Sequence, residues 1–215
     1  MSVQVKICGI SQPEALAAAL AGGVRFIGFV FYPRSPRFVL PALAAELARS
    51  VPTGVRVVGL FVSPDDALLD DVTGQVPLDY LQLHDDEPPE RLMAIRSRFA
   101  LPLIKAFRLG GVADLERVPA FADVADILLF DAPPPADGAG LPGGNGVAFD
   151  WRLLAGRSWQ RPWMLSGGLN PDNLTRAVAA TGARMVDVSS GVEDRPGHKH
   201  PALIRAFLAT AAALC

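Results

Sequence analysis

The feature that most constrains the fold is a regular alternation of short apolar runs with longer amphipathic or alanine-rich segments. Eight runs rich in Val, Ile, Leu and Phe are predicted to be strands. The runs are nearly continuously apolar, which indicates strands buried on both faces, as in a parallel sheet. The predicted strands are 3–7, 25–31, 56–62, 80–83, 103–107, 126–130, 163–165 and 185–188.

The segments between these runs carry helix signals. Ser11 is predicted to be the N-cap of the first helix, and Gly22 to stop it. Ser63 and Pro64 are predicted to begin a further helix as N-cap and first helical residue. The other predicted helices, with the first, cover 13–21, 40–50, 88–99, 112–121, 171–180 and 201–214.

Eight strand–helix units within 215 residues favour a closed barrel over an open sheet. We therefore predict an α/β fold with a single (β/α)8 TIM barrel as one domain over 1–215. The alternative is a doubly wound open sheet. The last helix is apolar enough to close the barrel or to form a dimer, so a monomer is the default expectation and a homodimer the alternative.

The charge balance and the cysteines limit the binding partners and the cellular compartment expected for the protein. The formal net charge of −2 gives no reason to expect a nucleic-acid partner or an anionic membrane surface. Cys8 and Cys215 stand far apart and do not form a disulfide framework. Neither a secretion signal nor an apolar run of membrane-spanning length is recognisable. A cytoplasmic location is the expectation.

The segment 133–146 is rich in Pro, Gly and Ala and is predicted to be a long loop. It directly follows the sixth predicted strand, at the end where barrel enzymes place their active sites. It has two interpretations: a lid over the site, or a disordered insertion.

Two side chains at strand ends could carry acid–base chemistry. Cys8 ends the first strand, where nearby cations could make its thiol a base or a nucleophile. The alternative is a small buried apolar residue. Asp131 follows a wholly apolar run and could donate a proton near neutral pH. Its alternative role is that of a loop aspartate.

Small residues at the ends of strands seven and eight favour phosphate binding. Backbone N–H groups can approach phosphate oxygens where side chains are small, and these two loops often bind phosphate in barrels. The alternative is ordinary turn residues. The candidates are Gly168, Ser189, Ser190 and Gly191.

Other polar residues lie near the mouth of the predicted barrel, which is the end formed by the carboxyl ends of its strands. Their sequence context indicates a function less strongly. Arg37 could hold a carboxylate through its planar guanidinium group, or be a loop arginine. His84 could hydrogen-bond a substrate or fill the barrel mouth. His198 and His200 have no third ligand nearby in sequence, so no metal site is predicted. The acidic run 85–87 is interpreted as solvated charge at a helix start.

Segments from residue 5 to about 200 resemble, in order, the motifs of the phosphoribosylanthranilate isomerase family. The first and last of them, KICG and DVSSGVE, are the most specific. In chain order they are Lys6-Ile7-Cys8-Gly9-Ile10, Gly28-Phe29-Val30-Phe31 with Ser35-Pro36-Arg37, Gln82-Leu83-His84, Asp131-Ala132, Gly143-Gly144-Asn145-Gly146 with Phe149-Asp150-Trp151, Ser166-Gly167-Gly168-Leu169 with Pro171 and Asn173, and 187–193.

The resemblance implies an Amadori rearrangement of N-(5′-phosphoribosyl)anthranilate to 1-(2-carboxyphenylamino)-1-deoxyribulose 5-phosphate in tryptophan biosynthesis. Its partner is then a small phosphosugar, and no cofactor or metal is required. Under this interpretation Cys8 is the general base and Asp131 the general acid. Arg37 suits the substrate carboxylate, and the loops of Gly168, Ser189 and Ser190 suit the phosphate.

The chain departs from the family pattern at two places. Asp85 follows QLH where the family often has Gly, and His200 stands where the PGxKD motif has Asp.

Three other functions compete with this assignment. The related isomerase of histidine biosynthesis uses an aspartate where Cys8 stands. Indole-glycerol-phosphate synthase has glutamates with no recognisable counterpart. A non-catalytic phosphate-binding barrel would not need both Cys8 and Asp131.

Overall fold

A closed barrel of eight parallel strands, in sequential order, forms the centre of the protein. The computed structural model describes residues 3–134, 143–144, 146 and 148–214. The result confirms the predicted (β/α)8 fold and excludes the doubly wound sheet. The strands are β1 Gln4–Cys8, β2 Phe26–Val30, β3 Arg56–Phe61, β4 Tyr80–Leu83, β5 Leu103–Arg108, β6 Ile127–Asp131, β7 Trp163–Leu165 and β8 Met185–Val188.

Helices surround the barrel, and four of the six α-helices in the described residues have Pro in their first turn, where its missing N–H costs nothing. A short antiparallel hairpin, β9 Glu193–Arg195 and β10 His198–Lys199, was not predicted. The α-helices are α1 Pro13–Ala21, α2 Pro41–Ala48, α3 Asp66–Gln75, α4 Pro89–Phe99, α5 Leu174–Thr181 and α6 Pro201–Ala212, and the 3-10 helices are Val112–Phe121, Trp151–Leu154 and Ser190–Val192.

A membrane-spanning helix needs about 20 residues. None of the helices in the described part of the chain meets the length and hydropathy of such a span.

Two predicted helix caps are wrong. Helix α1 has Gln12, not Ser11, as its N-cap residue. Ser63 lies in a turn with a φ of 45°, and α3 is instead capped by Asp65. The Asp65 carboxylate accepts a hydrogen bond of 2.8 Å from the Leu68 N–H. The aspartate lies directly before the helix, so it can reach an N–H group that has no partner within the helix.

The predicted helix 171–180 also begins too early, because α5 starts only at Leu174. The residues before it form a turn in which the Asn170 side chain accepts hydrogen bonds from the N–H groups of Asp172 and Asn173. Asparagine side chains commonly stabilise such turns in competition with helix.

Three strands extend one residue further towards the mouth than predicted. Cys8, Arg108 and Asp131 are all strand residues, because pairing continues to the last position of each strand. Cys8 pairs with Gly28, and Arg108 pairs with Asp131. Both proposed acid–base residues therefore lie on the sheet rather than on flexible loops.

The barrel interior changes character along its axis. Side chains alternate between the interior and the helix layer along each strand. Away from the mouth, the barrel interior is apolar, with Met164 and Leu129 among its buried residues. Closer to the mouth, the buried interior includes Cys8 beside Val30 and Leu60.

Candidate active site

One pocket at the carboxyl ends of the strands collects most of the predicted site residues. Its lining includes Cys8, Arg37, His84, Asp131, Gly168, Ser189 and Ser190. Gly191 is not in the lining, and its backbone lies against that of Leu169. The apolar side chains of Val30, Leu60 and Leu169 complete part of the wall.

The floor of the pocket on one side is a buried polar cluster around Cys8. The Lys6 ammonium nitrogen lies 2.9 Å from Asp187 Oδ1, and Ser166 Oγ donates to Asp187 Oδ2 at 3.2 Å. Lys6 and Asp187 are register partners on β1 and β8, so their side chains share the interior face. The 3.1 Å hydrogen bond from Ser189 Oγ to the Cys8 carbonyl ties the loop after β8 to the same strand.

Burial and charge act in opposite directions on these groups. Burial raises the pKa of the Cys8 thiol above its ordinary value, although the Lys6 ammonium opposes the rise. Burial by itself would lower the pKa of Lys6, but the Asp187 carboxylate and the Cys8 sulfur together outweigh it and raise that pKa. Lys6 is therefore a cation at neutral pH.

The other side of the pocket holds Asp131 in a hydrogen-bonded chain. His84 Nε2 lies 3.1 Å from Asp131 Oδ2, and Gln82 Nε2 lies 2.9 Å from His84 Nδ1. The Ala132 N–H donates to Asp131 Oδ1 at 2.8 Å. A β-carbon at position 143 would lie 2.5 Å from His84 Nε2, so only glycine lets the chain pass this closely over the pair.

The expected lid over 133–146 lies largely outside the described residues, which omit 135–142 and 145. Of its described part, Gly143 and Gly144 line the pocket.

Arg37 makes the kind of bidentate contact predicted for it, but with a carboxylate of the protein. Its Nε and Nη2 each donate a 2.8 Å hydrogen bond to Glu193, and Nη2 also donates to the Gly144 carbonyl at 3.0 Å. Lys199 pairs with the same carboxylate and donates to Ser189 Oγ at 3.2 Å. All three ionic side chains are almost completely buried.

The charges of this network depend on one another. Burial alone would raise the pKa of Glu193, but Arg37 and Lys199 hold it below its ordinary value. Burial lowers the pKa of Lys199 to about 8, against the opposing effect of the Glu193 carboxylate.

Close backbone approach shapes the end of the pocket assigned to phosphate. Gly167 and Gly168 both have positive φ, of 86° and 63°. A β-carbon at Gly191 would lie 1.8 Å from the Leu169 carbonyl oxygen, so the loops after β7 and β8 touch through their backbones. Asn173 Nδ2 donates to the Gly168 carbonyl at 2.9 Å and fixes the first loop.

The interpretation of 85–87 as solvated charge is wrong for Glu87. Its carboxylate is buried and pairs with Lys105 at 2.7 Å, and it also accepts a 3.0 Å hydrogen bond from the Ser63 N–H. The loop after β4 brings the Glu87 carboxylate to the buried Lys105 ammonium group, which needs a counter-ion. Asp85 stays partly exposed and pairs with Arg108.

Sequence reasoning gave no role to several buried polar residues that the fold brings into contact with the predicted site. Lys6 could have been found from strand alternation, because it stands two residues before Cys8. Glu193 and Lys199 lie in segments compared above with DVSSGVE and PGxKD, but neither was given a role, because the hairpin that places them was not predicted. The full set is Lys6, Gln82, Ser166, Asp187, Glu193 and Lys199.

The chain is similar to one enzyme family over almost its whole length. A model of the family described as "N-(5'phosphoribosyl)anthranilate (PRA) isomerase" matches residues 5–210. The N-(5′-phosphoribosyl)anthranilate isomerase of Rhodospirillum centenum is 65% identical over 214 residues, covering 100% of both chains. That of Paracoccus denitrificans is 55% identical and covers 99% of both.

Solved structures give the same result. Phosphoribosyl anthranilate isomerase from Thermotoga maritima superposes with a TM-score of 0.87 at 36% identity, covering 99% of this chain and 100% of that one. A phosphoribosyl anthranilate isomerase in complex with reduced 1-(o-carboxyphenylamino)-1-deoxyribulose 5-phosphate superposes with a TM-score of 0.85 at 35% identity, with the same coverage.

Proposed function

The chain belongs to the N-(5′-phosphoribosyl)anthranilate isomerase family, whose enzymes catalyse the Amadori rearrangement in tryptophan biosynthesis, and from this premise we propose that Cys8 is the general base and Asp131 the general acid. The observation that supports both roles is that the two buried side chains line one pocket from β1 and β6. They can therefore reach different atoms of one bound substrate.

The reaction needs one proton donated and one removed. Asp131 protonates the furanose ring oxygen, and the bond from that oxygen to C1′ breaks to give a Schiff base. The Cys8 thiolate then removes the proton from C2′, and the electron pair left on carbon moves to neutralise the imine nitrogen. Tautomerisation of the resulting enolamine gives the ketone. Each acid or base typically contributes a rate factor of about 10²–10⁴.

The Gln82–His84 pair suits both protonation states of Asp131. When Gln82 Nε2 donates to His84 Nδ1, the hydrogen of His84 lies on Nε2 and donates to the Asp131 carboxylate. With the Gln82 amide rotated by 180°, its oxygen accepts from Nδ1–H, and Nε2 accepts from the protonated acid. We therefore assign His84 to orienting Asp131 within the substrate pocket.

The two charged ends of the substrate fit opposite parts of the pocket. Glu193 occupies the Nε and Nη2 edge of Arg37, so we assign the Nη1 side, next to Gly144, to the anthranilate carboxylate. The phosphate is assigned to the touching backbones of the loops after β7 and β8, where glycines allow close approach and Lys199 supplies positive charge. The residues of that end are Gly168, Ser189, Ser190 and Gly191.

We also propose that the protein acts as a monomer in the cytoplasm. The apolar face of α6 is already used, because Phe207 and Leu208 are buried and α6 packs on α1. The T. maritima relative is described as dimeric, so size-exclusion chromatography with light scattering tests this part of the proposal. A dimer in solution would contradict it.

The test of the roles is the loss of phosphoribosylanthranilate fluorescence, measured for the wild type beside Cys8→Ser and Asp131→Asn. We expect turnover by the wild type and a loss of at least about a hundredfold in each variant. Full activity of Cys8→Ser would keep the family assignment and overturn the choice of base. Full activity of Asp131→Asn would overturn the choice of acid in the same way.

A further inference from the structure

A fully buried lysine lies beside the proposed base, and the mechanism above does not use it. Lys6 stands two residues before Cys8 on β1, so both side chains point into the barrel. Its ammonium group pairs with Asp187 at 2.9 Å. A buried ion pair is weak evidence for stability, because desolvation offsets most of its attraction. The position of this pair next to the reacting thiol needs another explanation.

We propose that Lys6 is a positioning residue for the base: its ammonium group, held in place by Asp187, stabilises the thiolate form of Cys8. The inference rests on the proposed role of Cys8 and adds to it the source of its negative charge. A thiolate is a far stronger base and nucleophile than a thiol, and a nearby cation favours it.

Gly28 provides the space in which the two groups meet. It pairs with Cys8 across β1 and β2. A β-carbon at position 28 would lie 3.1 Å from Cys8 Sγ and also 3.1 Å from Lys6 Nζ. The sulfur and the ammonium nitrogen are therefore neighbours over a position where any larger residue would press against both.

Asp187 explains why the ammonium group keeps its proton inside the barrel. It accepts from Lys6 through Oδ1 and from Ser166 through Oδ2, so each carboxylate oxygen has a partner. The carboxylate raises the pKa of Lys6, and the charged lysine in turn opposes the effect of burial on the Cys8 thiol.

Lys6 is not the only charge near the sulfur, but it has the strongest favourable effect. Asp187 disfavours the thiolate, and Lys199 favours it more weakly than Lys6 does. Lys199 is also paired directly with Glu193. The other titratable groups in the pocket lining are Tyr32, Arg37, His84 and Asp131.

The experiment compares Lys6→Met with Lys105→Met in the full-length chain. Lys105 is a matched control, because it is equally buried and paired with Glu87, but it is not among the charged groups that act on the Cys8 thiol. The rate of iodoacetamide alkylation is measured against pH, and mass spectrometry of the peptide that contains Cys8 separates its signal from that of Cys215. The midpoint reports the apparent pKa of the thiol in its coupled setting.

We expect Lys6→Met to move the midpoint upward by about one unit or more, which corresponds to about tenfold slower alkylation below the midpoint. Lys105→Met should leave it unchanged. An unchanged midpoint in Lys6→Met, or an equal shift in both variants, would overturn the inference. Because alkylation needs no turnover, this failure is distinct from an active Cys8→Ser, which would instead remove Cys8 as the base.

Gly28→Ala decides the matter if Lys6→Met does not fold. Its backbone needs no special conformation, and the added methyl group would push the sulfur and the ammonium nitrogen apart by a few tenths of an ångström. We expect a smaller upward shift of the same alkylation midpoint. A midpoint equal to that of the wild type would count against the role of Lys6.

Discussion

The two ends of the barrel each carry an arginine–carboxylate pair, and the pairs differ sharply in exposure. At the mouth, Arg37 and Glu193 lie 2.8 Å apart with side chains only 6% and 4% exposed. At the opposite end, Arg56 and Asp79 lie 3.0 Å apart with side chains 47% and 33% exposed. The distances are nearly equal, so the surroundings make the difference.

Burial changes what such a pair does. An exposed pair is screened by water and contributes about 0–1 kcal/mol to stability. A buried pair costs desolvation free energy when it forms, and it strongly destabilises the protein when one partner is removed. The barrel has buried charges at the end to which the substrate carboxylate and phosphate are assigned. The charge network at the mouth thus marks the functional end of the molecule.

The largest effect should follow from removing the carboxylate at the mouth. Glu193→Gln leaves Arg37 and Lys199 buried without a counter-ion, so the free energy of unfolding should fall by about 3–5 kcal/mol. Urea unfolding followed by circular dichroism measures this change. A loss as small as that of an exposed pair would mean that the two ends do not differ energetically.

The second largest effect should follow from disturbing the backbone contact at the end assigned to phosphate. Gly191→Ala forces apart two loops that touch at the Leu169 carbonyl, so kcat/KM should fall about a hundredfold. Gly74→Ala is the matched control, because Gly74 lies in α3 with open space around it. That variant should keep full activity and gain about 0.5–1 kcal/mol of stability. Equal activity of the two variants would contradict the close-approach argument.

Alkaline pH should weaken substrate binding at the mouth. Lys199 is protonated below its pKa of about 8 and neutral above it. Its positive charge lies beside Ser189, at the end assigned to phosphate. The KM for phosphoribosylanthranilate should therefore rise severalfold as the pH rises through about 8, with a smaller change in kcat. Lys199→Met should remove this dependence, and a KM that is flat with pH in the wild type would refute it.

The smallest effect belongs to the exposed end. Arg56→Ala removes a half-exposed pair with Asp79, so unfolding free energy should change by less than about 1 kcal/mol. The value of kcat/KM should equal that of the wild type in the same fluorescence assay. A large loss of activity would show that this end of the barrel also serves catalysis.

Much of the site was predictable because its residues stand at strand ends. Parallel strands in a closed barrel all point their carboxyl ends to one mouth, so residues far apart in sequence must meet there. Cys8, Asp131 and the loops after β7 and β8 were proposed in this way, and the structure places them around one pocket. The comparisons confirm the fold and the isomerase assignment.

Contacts made by partners with no local pattern could not be predicted. Nothing near Arg37 in sequence indicates that a carboxylate 156 positions later would occupy its bidentate edge. Likewise, Glu87 looked like a solvated helix-start charge until β5 placed Lys105 beside it. Caps failed for a related reason, since Ser63 and Asp65 compete for the same helix start and backbone geometry decides between them.

The sequence by itself determined the eight-unit alternation, the barrel class and the strand-end positions of Cys8 and Asp131, because periodicity and turn chemistry are local properties of the chain. The tertiary structure alone decided which charges neutralise one another. Ion pairs such as Lys6–Asp187 depend on strand register and burial, and these quantities exist only after the barrel has closed.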